Sequence, residues 1–175
     1  MRDRLLELLW QAHADVTRVL SRWMEGTSSW LGVWSPKHTV TLQCDLSCMV
    51  SPAMFAEFFA PALAVQCQQA DHVIYHLDGP GALQHVETLL ELPRLHAIQW
   101  VPGAGEDGPA HPKWRPLLRR IIQAGKRVHI SVAPQEVEAL LAELPADGLA
   151  IATGCRSEEE ARELLRKAER WSHAR

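Results

Sequence analysis

Short runs of β-branched and apolar residues alternate with helical segments along most of this chain, and this alternation limits the possible folds more than any other feature. Five runs have the composition of strands, and they lie near residues 39–44, 73–77, 97–101, 127–132 and 148–153. A segment with helical character separates each run from the next. Because units of this length join parallel strands through right-handed helical crossovers, the pattern predicts an α/β fold.

The chain begins with a different kind of segment. Apolar residues recur every three or four positions over residues 4–24, which predicts a long first helix, and a Trp-rich turn follows it. Near the other end, Ser157 and Glu160 have the spacing of a capping box, which predicts the start of the last helix. The sequence therefore divides into an N-terminal helix and turn at residues 1–34 and a strand-and-helix region at residues 35–175.

Two architectures fit five parallel strands: an open, doubly wound sheet and part of a (β/α)8 barrel. A complete barrel typically needs about 250 residues. This chain has 175. No GxGxxG or GxxxxGK loop follows the first strand, which weakens the nucleotide-binding form of the doubly wound sheet. The spacing of the strands leaves both architectures open.

Composition argues against several classes of function. The formal charge of −3 and the scattered basic residues argue against a nucleic-acid partner. The chain has no apolar run long enough for a membrane span and no secretory signal at its start, so we expect a cytoplasmic protein without a membrane partner. Its four cysteines, Cys44, Cys48, Cys67 and Cys155, form no CxxC pair, so we expect reduced thiols rather than disulfides.

Four segments of the strand-and-helix region have recognisable sequences: Leu-Gln-Cys-Asp at residues 42–45, Ser-Pro-Ala-Met-Phe-Ala-Glu-Phe at 51–58, Tyr-His-Leu-Asp-Gly at 75–79 and Ile-Gln-Trp-Val-Pro-Gly at 98–103. These segments resemble the second half of uroporphyrinogen decarboxylase (URO-D)-like barrel proteins, a superfamily that includes corrinoid methyltransferases. The resemblance covers about residues 34–170. It implies a partial (β/α)8 TIM barrel of about five parallel strands, with its site at the carboxyl ends of the strands.

The resemblance also implies a complete barrel whose first strands precede this region. Five parallel strands by themselves expose two edges and an open interior, and both need cover. We therefore expect either a homo-oligomer with an extensive apolar interface through the open barrel edge or a chain that lacks the N-terminal half of the barrel.

In the methyltransferase branch, which the chain resembles more closely than the haem-pathway decarboxylase, zinc is held by a His-x-Cys pair and a later Cys. The matching positions here are His76, Asp78 and Cys155, so Asp78 departs from the family's cysteine. Zinc accepts carboxylate oxygen, and three ligands leave a fourth position open for a substrate thiol. This mixed ligand set also admits another divalent ion or no metal. In the alternative interpretation, Asp78 stabilises a turn, His76 forms hydrogen bonds inside the barrel and Cys155 is a loop residue.

Five further residues are candidates for a site. Asp45, after the first parallel strand, is a possible proton carrier or a cap for the following loop. Gln99 and Trp100 offer an amide and a stacking face to a substrate, although a buried Trp in a barrel layer is an equal alternative. His129 and Ser131 alternate on one strand toward one face, where they line either a pocket or the core, with His129 as a possible catalytic group.

Three functions remain as hypotheses. The favoured one is zinc-assisted methyl transfer to a thiol from a methylated small molecule or from a methylcorrinoid carried by a partner protein. The second is cofactor-free decarboxylation of a porphyrinogen-type acid, against which the Thr-Gly-Cys at residues 153–155 counts, because the family's decarboxylase has Gly-His-Gly there. The third is a catalytically silent half-barrel. His85, on the helix after the second parallel strand, either reaches back to the rim of the strands or faces solvent, and we expect it to face solvent.

Overall fold

A five-stranded parallel sheet and its helices make up most of the structure, a computed structural model that describes residues 2–173. A short antiparallel pair precedes the sheet. The strands are β1 (Thr27–Ser28) and β2 (Trp34–Ser35) in the pair, then β3 (Thr39–Gln43), β4 (His72–Asp78), β5 (Ala97–Val101), β6 (Arg127–Ser131) and β7 (Leu149–Ala152). Residue 1 and residues 174–175, the outer ends of the two predicted regions, lie outside the described residues.

The parallel strands lie side by side in chain order from β3 to β7. This order confirms the predicted α/β fold and all five predicted strands. A doubly wound sheet reverses its strand order at a switch point. The described strands show no reversal, so the doubly wound alternative is wrong. The sheet is compatible with part of a (β/α)8 barrel, and β3 and β7 are its two edges.

Helix α1 (Arg2–Leu20) precedes the strands, and the other helices connect the parallel strands or follow the last one. These are α2 (Pro52–Met54), α3 (Ala60–Cys67), α4 (Val86–Leu90), α5 (Arg115–Gln123), α6 (Val137–Glu143) and α7 (Glu158–His173). A π-helical turn, Phe55–Phe59, joins α2 to α3 without a break. Among residues 2–173, no helix combines the length and the apolar character that crossing a bilayer requires.

Serine hydroxyls cap two helix starts, and the second of these is the start that the sequence predicts. The Ser51 hydroxyl accepts from the Met54 N–H at 3.3 Å, and the Ser157 hydroxyl accepts from the Glu160 N–H at 3.2 Å. The Glu160 carboxylate accepts from the N–H of Arg156 rather than of Ser157, so the reciprocal bond of the capping box is shifted by one residue.

The first helix is shorter than the periodicity of residues 4–24 predicts, because α1 ends at Leu20. The N–H groups of Arg22 and Trp23 bond to carbonyls three residues back, at Val19 and Leu20, which tightens the chain into a turn. Gly26, at a φ of 78°, then turns the chain toward β1.

The helices pack against one face of the sheet. In one row across the strands, Leu42 is paired with Tyr75, Tyr75 with Ile98, and Ile98 with Val128. These side chains share one apolar cluster with buried residues of the helical segments, among them Phe55, Leu63, Leu89, Leu118 and Leu140. Burial of one such side chain contributes about 1.5–3 kcal/mol. Side chains alternate along a strand, so the intervening residues point to the opposite face, called the open face below.

Candidate functional site

Four polar side chains form one row across the open face. The strand register pairs Gln43 with His76, His76 with Gln99, and Gln99 with His129. Paired residues of parallel strands share a face. The chain order therefore brings together two imidazoles and two amides that are far apart in sequence. We call Gln43, His76, Gln99 and His129 the polar row.

Two more candidates lie on the open face beyond the polar row. Asp78 follows His76 by two residues and ends β4, and Ser131 follows His129 by two residues and ends β6. Both side chains are exposed. They therefore stand at the carboxyl ends of the strands, where sites in β/α folds are built.

The centre of the polar row is a direct contact between His76 and Gln99. Nδ1 of His76 lies 2.5 Å from Oε1 of Gln99. Gln99 is buried and His76 is half-buried. Because an amide oxygen can only accept, Nδ1 donates this hydrogen bond, and in the neutral imidazole the lone pair then lies on Nε2. His76 can accept a proton at that nitrogen.

Trp30 reaches the same site from the N-terminal region. It lies in the turn between β1 and β2, which is closed by a bond from the Ser29 N–H to the Val33 carbonyl at 3.0 Å. Its ring meets the ring of His76 edge-on, with the centroids 5.1 Å apart. Trp30 remains 63% exposed, so its indole borders the site without closing it.

His129 ends the polar row in a buried position. It is 4% exposed, and its Nδ1 atom has no hydrogen-bond partner among the described residues. Burial lowers the pKa of His129 because a charged imidazole loses its hydration there. His129 is therefore a neutral imidazole near neutral pH, and its unpaired nitrogen is free to bond to a water or a ligand.

The residues that the resemblance implies as metal ligands are only partly brought together. His76 and Asp78 share the open face, whereas Cys155 is half-buried in the segment after β7. Among the side chains that the structure describes, those of residues 4–173, no group of three or more His, Cys, Asp or Glu is placed to hold a metal ion. The described side chains thus do not fit a zinc site, and zinc at these positions stays a prediction.

The substrate-binding role of Trp100 is wrong. Trp100 is paired with Leu77, one position out of step with the polar row, so its side chain points to the helices. It is fully buried and packs edge-on against Trp114, with the ring centroids 4.9 Å apart. The alternative, a buried Trp in a layer of the barrel interior, is not what the structure shows either, because Trp100 lies in the core between the sheet and the helices.

Asp45 lies at the carboxyl end of β3 but outside the polar row. It begins a short 3-10 turn, Asp45–Met49, and its side chain is exposed. Its backbone carbonyl accepts a hydrogen bond from Sγ of Cys48 at 3.3 Å. A proton-carrying role for Asp45 stays a prediction.

Three residues near the site were not anticipated. Gln43 has no sequence signal of its own and is identified only by its register with His76. Trp30 belongs to the predicted Trp-rich turn, but its contact with His76 was not predicted. His85 was expected to face solvent, which is wrong: it is 1% exposed, stacks on Phe55 at 4.2 Å, and its Nε2 lies 2.8 Å from the carbonyl of Ser47. His85 thereby joins the segments that follow β3 and β4.

Comparison with known proteins does not identify a family for this chain. No family model matches it, and no curated protein or solved structure is significantly similar to it. The resemblance of residues 34–170 to URO-D-like barrels therefore stays an expectation from the sequence, as does the cofactor set that it implies.

Proposed function

We propose that the open face binds a small polar molecule at the carboxyl ends of the strands and that His76 exchanges a proton with it. The observation that carries this proposal is the 2.5 Å contact between Nδ1 of His76 and Oε1 of Gln99. In this proposal the sheet is five strands of a (β/α) barrel, a fold whose catalytic residues come from several strand ends.

Gln99 acts as a positioning residue. Its buried amide fixes the orientation of the His76 ring and leaves Nε2 as the basic atom. A ligand O–H or N–H that approaches Nε2 transfers its proton there, the ligand keeps the electron pair, and the imidazolium is stabilised by the amide oxygen on its other side. Return of the proton completes the exchange.

The charges around the polar row define the class of ligand. The polar row contains no lysine or arginine. Neither do the next described positions on the same face of the strands, toward their carboxyl ends. Asp78 supplies a carboxylate instead. An open groove beside β6 and β7, lined by Ser131, Glu136, Ala152 and Gly154, also has no basic lining residue. A neutral or cationic ligand with several hydrogen-bonding groups suits this surface better than a polycarboxylate such as a porphyrinogen.

A ligand screen tests the proposal. Ligand-observed NMR with a panel of polyols, amines, amino-acid amides and dicarboxylates should give binders among the first three classes. His76→Ala should abolish their binding, whereas His173→Ala, on the exposed end of α7, should not. The proposed site would be contradicted if the His76→Ala variant still bound the same ligands. It would also be contradicted if only dicarboxylates bound to the wild type.

Zinc-assisted methyl transfer, with a corrinoid protein as methyl donor, is the finer function that the resemblance implies. One observation favours it: His76 and Asp78 lie two residues apart on the same face of β4. Cys155 would have to move toward them for a three-ligand site to form. Zinc that copurifies with the protein and is lost in both His76→Ala and Cys155→Ser would support methyl transfer, and metal-free protein that binds ligands would support the proton-exchange site alone.

A further inference from the structure

Helix α1 carries two apolar faces, and the protein covers one of them. Leu6, Trp10 and Ala14 line a cavity of about 480 Å³ together with Ala62 and Val65 of α3. Trp10 also packs against the apolar cluster of the sheet. This side of α1 therefore rests on the outer layer of helices.

The second apolar face of α1 and the turn after it is exposed. Eight residues form it, and we call them the exposed stripe: Leu5, Leu8, Leu9, Ala12, Val16, Val19, Leu20 and Trp23. Its seven large side chains are between 48% and 85% exposed. At 3.6 residues per turn, the stripe lies roughly 140° around the helix from the side that faces α3. A contiguous apolar surface of this kind marks an interaction site.

The spacing of the exposed stripe is the same from either end. Its residues are separated by three, one, three, four, three, one and three positions. Each residue therefore has a counterpart at the same distance on the other side of the centre of the stripe. Within the helix the pairs are Leu8 with Leu20, Leu9 with Val19, and Ala12 with Val16, and the counterpart of Leu5 is Trp23 in the turn after the helix. When two copies of a helix meet antiparallel about a two-fold axis, residues pair by this rule.

We propose that the exposed stripe pairs antiparallel with the stripe of a second copy and forms a homodimer. A two-fold interface must be complementary to itself, and here every apolar position meets an apolar position. Ala12, the smallest residue of the stripe, and Val16 lie at the centre, where the helices approach most closely. The stripe offers on the order of 800 Å² per copy, the area that a stable interface needs.

The charges of α1 favour a second copy over a membrane surface. Helices that lie on anionic membranes carry a polar face rich in Lys and Arg. The described charged side chains of α1 are Arg4, Glu7, Asp15 and Arg18, which balance, and Asp15 pairs with Arg18 on the helix itself. The site of association also differs from the open barrel edge that the sequence resemblance implies.

Sedimentation of the full chain over a range of concentrations tests the dimer. The wild type should be a dimer that dissociates on dilution, and Val16→Asp should raise the dissociation constant at least about tenfold, because a charge would be buried at the centre of the interface. Arg22→Glu, exposed and outside the stripe, should leave the constant unchanged. Circular dichroism shows whether each variant is folded. A wild type that is monomeric at all concentrations would overturn the proposal without any variant.

Cross-linking tests the antiparallel register. Under oxidation, Leu8→Cys combined with Leu20→Cys should join two copies, whereas Leu8→Cys alone should not, because residues 8 of the two copies lie on the order of 18 Å apart along the antiparallel pair. Cross-linking by Leu8→Cys alone would overturn this register. Binding of the wild type, but not of Val16→Asp, to phosphatidylcholine and phosphatidylserine vesicles without dimerisation would assign the stripe to a membrane and overturn the proposal.

Discussion

Nδ1 of His76 lies 2.5 Å from Oε1 of Gln99, across two neighbouring parallel strands that a helical crossover separates in sequence. The contact depends on register, because His76 and Gln99 are directly paired between β4 and β5. A shift of either strand by one residue would turn one of the two side chains to the helices. The tautomer of the candidate base is therefore coupled to the packing of the sheet.

Trp30 should influence His76 without contributing much to stability. Trp30→Ala removes an indole edge that lies 5.1 Å from the imidazole, so the ring-proton resonances of His76 should shift in NMR spectra. Because Trp30 is largely exposed, the free energy of unfolding should change by less than about 1 kcal/mol. Trp34→Ala is the matched control, since its indole instead donates to the Glu25 carbonyl at 3.1 Å. Equal shifts of His76 in both variants would contradict the contact.

His129 should make the protein less stable in acid. Burial lowers its folded-state pKa below the ordinary value of about 6.5. The unfolded chain then binds more protons below that pH, so the stabilisation is present above about pH 6.5 and is lost as pH falls toward the folded-state pKa. When the pH falls from 7.5 to 5.5, the free energy of unfolding measured in urea should decrease by up to about 1.4 kcal/mol less for His129→Gln than for the wild type. His173→Gln, at an exposed histidine, controls for the loss of an imidazole. If the stability of the wild type and of His129→Gln changed in parallel with pH, burial of His129 would not be the cause of the acid sensitivity.

Lys126 should be important for stability although it lies outside the site. Its buried ammonium donates to the carbonyls of Leu92 and Leu95, each at 2.7 Å, and fastens the start of β6 to the segment before β5. Lys126→Met leaves both carbonyls without this donor and should reduce the free energy of unfolding by about 2–3 kcal/mol. Lys37→Met, at an exposed lysine, should have almost no effect. Similar unfolding midpoints for the two variants would show that these bonds contribute little.

The strands were predictable because each is a short apolar run bounded by turn residues. Their parallel arrangement follows from the helices between them, and chain order then brings His76, Gln99 and His129 to one face. The role assigned to Trp100 failed for a local reason: one residue along a strand changes the face. Gln99 and Trp100 are neighbours in sequence, yet one lies in the polar row and the other in the core.

The contacts that loops and turns make with distant segments were not predictable. Nothing in the sequence around Trp30 indicates that its turn reaches β4, and nothing around His85 indicates that it stacks on Phe55. Both contacts depend on how loops of different length fold back over the sheet. The end of α1 at Leu20 was missed because the apolar periodicity continues into Trp23, although the backbone there has already tightened into a turn.

The most direct test of the candidate base is the position of the proton on His76, measured by nitrogen-15 NMR of histidine-labelled protein above pH 7. In the wild type we expect the Nδ1–H tautomer, with Nε2 showing the resonance of an unprotonated nitrogen. Gln99→Leu removes the acceptor and should shift His76 toward the Nε2–H tautomer, while Gln84→Leu, at an exposed glutamine whose amide bonds to the Gly81 carbonyl, should not. An Nε2–H tautomer of His76 in the wild type, unchanged by Gln99→Leu, would contradict the proposed site.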